Sequence, residues 1–359
     1  MHFCNDERAT VTAEQKRLAG DSFKQTLVMT KLGALWRELP EARKATYNQK
    51  AKEDKARYDA ALKAAGVLTK AEKKAQGPKR PLSAYMHFCA ERRPSLTEEF
   101  KAQMTLQTPE ERTGQPFTYG EVEAPKAVDW RPKGVVTPVK NQGMCGSCWS
   151  FSTTGSIEGL YALKTGNLRS FSEQELVDCD ASDSGCNGGL MDYAFKFVIE
   201  NGGLDTEKDY PYTPVEHRCD SQRENRHVVT IDGYRDVPPG NETALMEAVR
   251  HGPVSIAIEA DQQGFQFYSE GVFDGACGDN LDHGVLIAGY GRDEATGQSY
   301  WLVKNSWGAG WGDHGYIKLA MGIGPSGQCG ITSMASYPIK NHPNPPRPPP
   351  TPPSPSPPP

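Results

Sequence analysis

Apolar positions change their period along this chain of 359 residues. Leu32, Leu35, Trp36 and Leu39 recur at helical spacing until Pro40 stops the pattern. Good helix formers dominate residues 1–65 and β-branched runs are almost absent, so this region reads as helical. A helix is expected from about Glu41 to Leu62, with Tyr47, Ala51, Asp54 and Tyr58 near one face and basic residues between them. A further helical run covers Ser150 to Leu163. Ser172, with Glu175 three residues on, reads as a capping box in front of Leu176 and Val177. Gly185–Met191 reads as a loop entering a helix that reaches about Ile199. Asn241 is placed to cap a helix over Glu242–Arg250, closed by Gly252-Pro253. After that the period shortens. Val254–Ile258, Val285–Ala288, Tyr300–Val303 and Tyr316–Leu319 are short apolar or alternating runs between Gly-rich turns, as in an antiparallel sheet or barrel. Helices first and strands later predict an α+β chain with two lobes.

Composition adds a second division. The net charge of −5 hides an asymmetry: residues 1–100 carry 20 Lys+Arg against 13 Asp+Glu, and the remainder carries 20 against 32. Opposite signs in the two parts suggest modules with different partners. Residues 102–123, rich in Thr, Gln, Glu, Pro and Gly, read as a flexible, cleavable linker. From Asn341 the chain is Pro-rich and reads as an extended polyproline spacer. No apolar run is long enough to span a bilayer. Met1–Asp6 lacks the charged and apolar regions of a signal peptide.

Seven of the nine cysteines lie between 145 and 329. Setting one aside as a nucleophile leaves an even number for bridges, whose pairing spacing alone leaves open. Cys145-x-x-Cys148 would in isolation suit a metal pair or a redox motif, but no second close pair completes a metal site. No metal or cofactor is expected.

The densest chemistry lies in Asn141–Phe151, N-Q-G-M-C-G-S-C-W-S-F. Cys148 opens a helical run, where the positive end of the helix dipole favours a thiolate. Gln142 carries an amide that could donate to an oxyanion. The pattern C-G-[SA]-C-[WY] predicts a His and an Asn far downstream. His283, in N-L-D-H-G-V-L-I-A-G-Y-G, and Asn305, in W-L-V-K-N-S-W-G, lie 135 and 157 residues beyond Cys148. On these words, residues from about Ala124 to Lys340 resemble the papain and cathepsin L family of cysteine proteases.

That resemblance implies a helical lobe and an antiparallel β-barrel lobe, with the site between them. It implies Cys148 as nucleophile, His283 as proton shuttle, Asn305 orienting the imidazole, and Trp307 shielding that hydrogen bond. Gln142 and the Cys148 backbone N–H would hold the oxyanion. Leu190, Met191, Ala257, Leu281 and Met334 would line an apolar pocket for the side chain one before the cleaved residue, favouring Leu, Phe or Val. An acidic residue at position 334 would instead admit Arg. The backbone of Gly188 and Gly189 would pair with an extended peptide. The implied bridges are Cys145–Cys186, Cys179–Cys219 and Cys277–Cys329. No insertion resembles the loop that makes some relatives exopeptidases, so a monomeric endopeptidase acting on proteins and peptides is expected.

The first residues resemble something else. Met1–Arg8 recurs as Met86–Arg93, and Pro78-Lys79-Arg80-Pro81-Leu82-Ser83-Ala84-Tyr85 precedes the second copy. With L-x-x-L-W-R-x-L-P and Y-x-x-K-A-x-x-D-K-x-R-Y in the first copy, residues 1 to about 93 look like tandem high-mobility-group boxes, neither of them whole. Leu96–Lys101 resembles the end of a papain-family propeptide. The expected division is a truncated all-α box at 1–65, a linker and second box start at 66–96, a propeptide remnant and linker at 97–123, the peptidase at 124–340, and the tail at 341–359. The alternatives to a peptidase are a DNA-binding chromatin protein using residues 1–93, and a chimeric gene. Disulfides and the sequon Asn241-Glu242-Thr243 suit a lysosome-like, vacuolar or extracellular protease; a genuine box region would suit the nucleus.

Overall fold

The computed structural model describes residues 40–64, 106–107, 112–120, 125–224 and 226–344. The helical reading of residues 1–39, the second box motif, the propeptide-like stretch and the proline tail from 345 lie outside the described residues. What is described groups into two compact units, one holding residues 40–64 and 261–277, the other 106–260 and 278–344.

In the first unit, helix α1 runs from Glu41 to Ala64, two residues past the expected end. Pro40 sits immediately before it, where its missing N–H costs nothing. Of the expected face, Tyr47 is buried and Ala51 half-buried, while the side chains of Asp54 and Tyr58 are not described.

The second unit holds β1 (Val128–Asp129), α2 (Cys148–Thr165), α3 (Glu173–Cys179), α4 (Met191–Glu200), α5 (Ser221–Glu224), β2 (Gly233–Asp236), α6 (Glu242–His251) and β3 (Val254–Ile258). After α7 (Gln263–Gln266) and β4 (Val272–Phe273), which belong to the first unit, it resumes with β5 (His283–Arg292), β6 (Ser299–Lys304), β7 (Tyr316–Ala320) and β8 (Ala335–Ile339).

Strands of the second unit pair antiparallel in the order β2-β8-β3-β5-β6-β7, with β1 beside β5. The ladder is a linear path rather than a ring among these strands. The register sets Ile258 opposite His283 and Leu286 opposite Lys304, so His283 begins β5 against the end of β3. The sequence pattern found β3 and the cores of β5, β6 and β7 but missed β1, β2 and β8. Strand β8 contains Pro338, which argues against a strand. Pro338 lies opposite Tyr234 of the edge strand β2 and outside the β3 pairing, which covers only Ala335 and Ser336.

Helix α2 is buried from Cys148 through Gly159 although it is rich in Ser and Thr. Its hydroxyls are satisfied: Ser150 and Thr153 donate back to the Ser147 and Trp149 carbonyls at 2.8 and 2.9 Å, and Ser152 donates to the Val285 carbonyl at 2.6 Å. A buried hydroxyl without such a partner would cost about 1–3 kcal/mol. Around α2, Trp149, Ile157, Phe171, Leu176, Leu190, Met191 and Phe195 belong to an apolar cluster, each fully buried. Burial of each such side chain stabilises by about 1.5–3 kcal/mol.

The caps correct one expectation. Ser172 caps α3, accepting from Glu175 N–H at 2.9 Å. The reciprocal half of the box is absent: the Ser172 N–H goes to the Asp205 carbonyl, and the Glu175 carboxylate accepts from Asp205 N–H at 2.7 Å. Glu175 ties two chain segments together instead of closing its own helix. Asn241 caps α6 by accepting from Ala244 N–H at 2.9 Å.

Candidate active site

Cys148 is the first residue of α2 and is fully buried. Among the described cysteines it alone is not disulfide-bonded. Cys145 is bonded to Cys186 and Cys179 to Cys219, and Cys277 and Cys329 are also disulfide-bonded. One grouping of metal-type ligands occurs among the described residues, Cys179, Cys219 and Glu224, and its two sulfurs are already joined to each other.

Strand β5 brings His283 to this helix start. A Cβ on Gly284 would sit 3.2 Å from both the N and Cα of Trp149 and 3.2 Å from the Met191 sulfur. The residue after His283 therefore packs on the backbone of the residue after Cys148, an approach that any larger side chain would push apart. The Ser152–Val285 hydrogen bond holds the same pairing one turn further on.

His283 is fully buried, and its Nε2 lies 2.8 Å from Asn305 Oδ1. The Ser306 N–H donates to the same oxygen at 2.7 Å, which identifies that atom as the amide's acceptor. Nε2 must therefore carry the proton, leaving Nδ1 as the basic lone pair. Nδ1 is buried with no hydrogen-bond partner. Burial pushes the imidazole down to about 4, opposed by the bond to Asn305. On its own the ring rests neutral, with Nδ1 ready to accept. Trp307 stacks on it with ring centroids 4.7 Å apart and planes 30° apart, and Trp311 meets Trp307 edge-on at 5.2 Å.

Gln142 is fully buried beside this group. Ser306 Oγ donates to its Oε1 at 2.6 Å, and its Nε2 donates to the Cys145 carbonyl at 3.0 Å. The Ser306 hydroxyl thereby fixes which way the amide faces. Sequence reading did not single out Ser306; its place between Asn305 and Trp307 was the only signal. Tyr212 was also missed. Its hydroxyl donates to the Gln142 carbonyl at 2.8 Å and lies 2.7 Å from Ser147 Oγ, bracing the loop before Cys148 from 65 residues away.

Beneath the site lies a buried ionic group. Lys140 pairs with Glu158 at 2.9 Å and with Glu173, and Lys304 donates to Thr137, which donates to Glu158. Burial alone would raise Glu158, but Lys140 and Lys304 hold it below the usual carboxylate range. Lys140, Glu158, Glu173 and Lys304, with Gly284, Asn305 and Ser306, line a cavity of about 20 Å³, room for about one water molecule.

Leu190, Met191, Ala257 and Met334 are buried members of the apolar cluster, and Leu281 packs against it. So does Leu106, far upstream in sequence. Residues 106–107 meet Gly189 through an isolated bridge. Leu106 bridges Gly189 in parallel, Leu106 N–H donates to the Asp282 carbonyl at 3.0 Å, and Gln107 N–H donates to the Gly189 carbonyl at 2.9 Å. The Gln107 amide reaches Ser184 Oγ at 2.9 Å. Residues 112–119 continue over the same unit. Arg112 ion-pairs with Asp236 and lies 3.6 Å from Asp192, and Tyr119 stacks on His251 at 4.0 Å. Reading 102–123 as a linker gave no sign of these contacts, because each partner lies at least 70 residues away.

Comparison with known proteins follows this geometry. The family model "Papain family cysteine protease" matches residues 124–339, and the model "HMG (high mobility group) box" matches residues 1–64. Probable cysteine protease RD21B of Arabidopsis thaliana is 59% identical over 223 residues, covering 62% of this chain and 48% of that protein. Cysteine protease 1 of Oryza sativa subsp. japonica is 54% identical over 255 residues, covering 69% of this chain and 52% of that protein. The chain thus spans about half the length of the curated relatives it matches. Among solved structures, the proform of the ragweed pollen cysteine protease Amb a 11 aligns with TM-score 0.60 and 48% identity, covering 62% of this chain and 69% of that one. Bromelain from Ananas comosus, in complex with the E64 inhibitor, aligns with TM-score 0.58 and 42% identity, covering 60% of this chain and all of that one. A buried thiol at a helix start, an imidazole fixed by an amide, and a family match over residues 124–339 converge on one conclusion: the chain belongs to the papain family of cysteine proteases.

Proposed function

We propose that the chain is a cysteine endopeptidase that cuts peptide bonds through a Cys148 thiolate and a His283 imidazolium. The observation that carries this is the buried His283 ring, with Nε2 committed to Asn305 and Nδ1 open as a base, on a strand whose next residue packs against Trp149. A neutral amide at 305 suffices as orienter because the thiolate balances the ring's charge. The thiolate attacks the scissile carbonyl carbon, and negative charge collects on the carbonyl oxygen. The Gln142 amide and the Cys148 N–H at the helix start are the donors suited to that oxygen. His283 gives its proton to the leaving amine, then takes one from water that releases the acyl group from Cys148. Trp307 covers the His283–Asn305 bond and keeps water from competing for it.

Specificity follows from the apolar cluster. Leu190, Met191, Ala257, Leu281 and Met334 offer no charge to a substrate side chain, and the protein's own Leu106 packs there. The expected preference is Leu, Phe or Val one residue before the cleaved one. Gly188 and Gly189 supply the edge for an extended peptide, as Gln107 pairing with Gly189 illustrates. Substrates are proteins and peptides, the active form is a monomer, and Asn241 is glycosylated if the chain is secreted. A lysosome-like, vacuolar or extracellular site suits this chemistry.

The test is covalent labelling. A thiol-reactive peptidyl epoxide with Leu at the specificity position should modify Cys148, and Cys148→Ala should abolish both labelling and peptide-amide hydrolysis. Hydrolysis that survives in Cys148→Ala refutes the assignment. Met334→Glu should shift preference toward Arg; unchanged preference removes Met334 from the pocket. A second reading, nucleic-acid binding, is favoured by the match of residues 1–64 to the box family. Salt-dependent binding of the chain to bent duplex DNA tests it.

A further inference from the structure

Beside the peptide-binding edge lies a carboxyl pair that the chemistry above does not use. Asp183 and Asp180 are both buried, and their carboxyls face each other within hydrogen-bonding reach. One oxygen of each, Asp183 Oδ2 and Asp180 Oδ2, is buried with no donor. Two ionised carboxylates in contact and out of water repel strongly. A single proton between them removes the repulsion and supplies the missing donor, so the pair titrates as a unit. Burial first, and then Asp180's charge, hold Asp183 well above the usual carboxylate range.

Asp183 also reaches the site. Its Oδ1 accepts from the Leu190 N–H at 2.8 Å. A Cβ on Gly189 would lie 2.7 Å from the Asp183 Cγ and 2.6 Å from the Trp149 ring, so Gly189 is held between the carboxyl and the indole. The Ser184 N–H, next along from Asp183, donates to the Gly188 carbonyl at 2.8 Å. Both residues of the edge are thus fixed from the Asp183–Ser184 turn. The other charged group against this turn is Glu216, whose carboxylate accepts from Cys186 N–H at 3.3 Å. Trp149, Leu190 and Gln107, whose amide reaches Ser184 Oγ, carry no charge.

We propose that Asp183, sharing one proton with Asp180, is a positioning residue that sets the Gly188–Gly189 edge on which an extended peptide pairs. Loss of that proton puts two like charges in contact and frees the turn, so the edge loosens at alkaline pH. This rests on reading Gly188–Gly189 as the peptide-binding edge, and the protein's own Leu106–Gln107 segment reports on that edge without any catalysis.

The experiment is amide hydrogen exchange on the full chain carrying Cys148→Ala, with and without Asp183→Ala or Asp183→Asn. Protection is taken relative to the intrinsic rate at each pH. Asp183→Ala should lower protection of the Leu190 and Gln107 amides at least tenfold while the β6 amides stay unchanged. Asp183→Asn keeps an acceptor for Leu190 and a donor for Asp180, so it should retain that protection. It should also abolish the alkaline loss that the Asp183 chain shows. Unchanged protection in Asp183→Ala, an equal loss across β6, or the same alkaline loss in Asp183→Asn would each overturn the proposal. Failure of the peptidase reading shows separately, as no epoxide labelling of the chain that retains Cys148.

Discussion

The 2.8 Å hydrogen bond between His283 Nε2 and Asn305 Oδ1 is buried, and the Ser306 N–H binds the same oxygen. This bond decides which ring nitrogen faces the chemistry. Asn305→Ala removes that decision and leaves Nε2 buried and unpaired. Peptide-amide hydrolysis should fall roughly 10²-fold in kcat, within the range that a positioned acid–base group contributes. Steady-state kinetics beside a folded-state melt test this, and a variant with normal kcat would remove Asn305 from the mechanism.

Ionisation of the pair offers a second check. Burial holds the His283 ring down to about 4 against an ordinary 6.5. In Cys148→Ala no thiolate stands by, so the ring should titrate near that low value. With Cys148 present the ring should stay protonated to a much higher pH, because the thiolate stabilises the imidazolium. NMR of the imidazole resolves the two cases, and identical titrations would show that no ion pair forms. The sign for stability follows. In Cys148→Ala the unfolded ring takes up a proton below about 6.5 that the folded ring refuses until about 4. Stability should be full above that window and fall through it as pH drops, by on the order of 3 kcal/mol.

Lys140 holds two buried carboxylates, Glu158 and Glu173. Lys140→Met leaves Glu173 without its cation and Glu158 with Lys304 alone. The expected loss is about 3–5 kcal/mol, read from denaturant or thermal unfolding. A loss under about 1 kcal/mol would mean that the carboxylates find protons or water through the adjoining cavity.

Leu106 packs on the apolar cluster while its backbone pairs with Gly189. Leu106→Ser removes the apolar anchor, worth about 1.5–3 kcal/mol, and should expose the site more often. Initial labelling of Cys148 by a peptidyl epoxide should accelerate about 10- to 100-fold. An unchanged rate would show that this segment does not compete with peptides.

Much of the catalytic unit was legible because its signals are local. The word around Cys148 and the contexts of His283 and Asn305 are short, and the periods of β3, β5, β6 and β7 lie within single elements. Strand β8 escaped because Pro338 argues against pairing, and only its place beside the edge strand β2 makes it tolerable. Glu175 was read as half of a capping box, a local motif, and the fold uses its carboxylate on Asp205 instead.

By itself the sequence determined the elements of the α+β unit and the residue types of its site, since helix dipoles, caps and apolar periods act over a few residues. Tertiary structure decided everything that depends on closure over long separations. It turned Ser306 onto Gln142, set Asp183 beneath Gly189, and laid Leu106 against an apolar cluster that gathers residues from 145 to 334. The physical reason is that burial and hydrogen-bond satisfaction are properties of packed neighbours. Which carboxyl must share a proton, or which imidazole nitrogen stays open, is fixed only when the chain brings those neighbours together and excludes water.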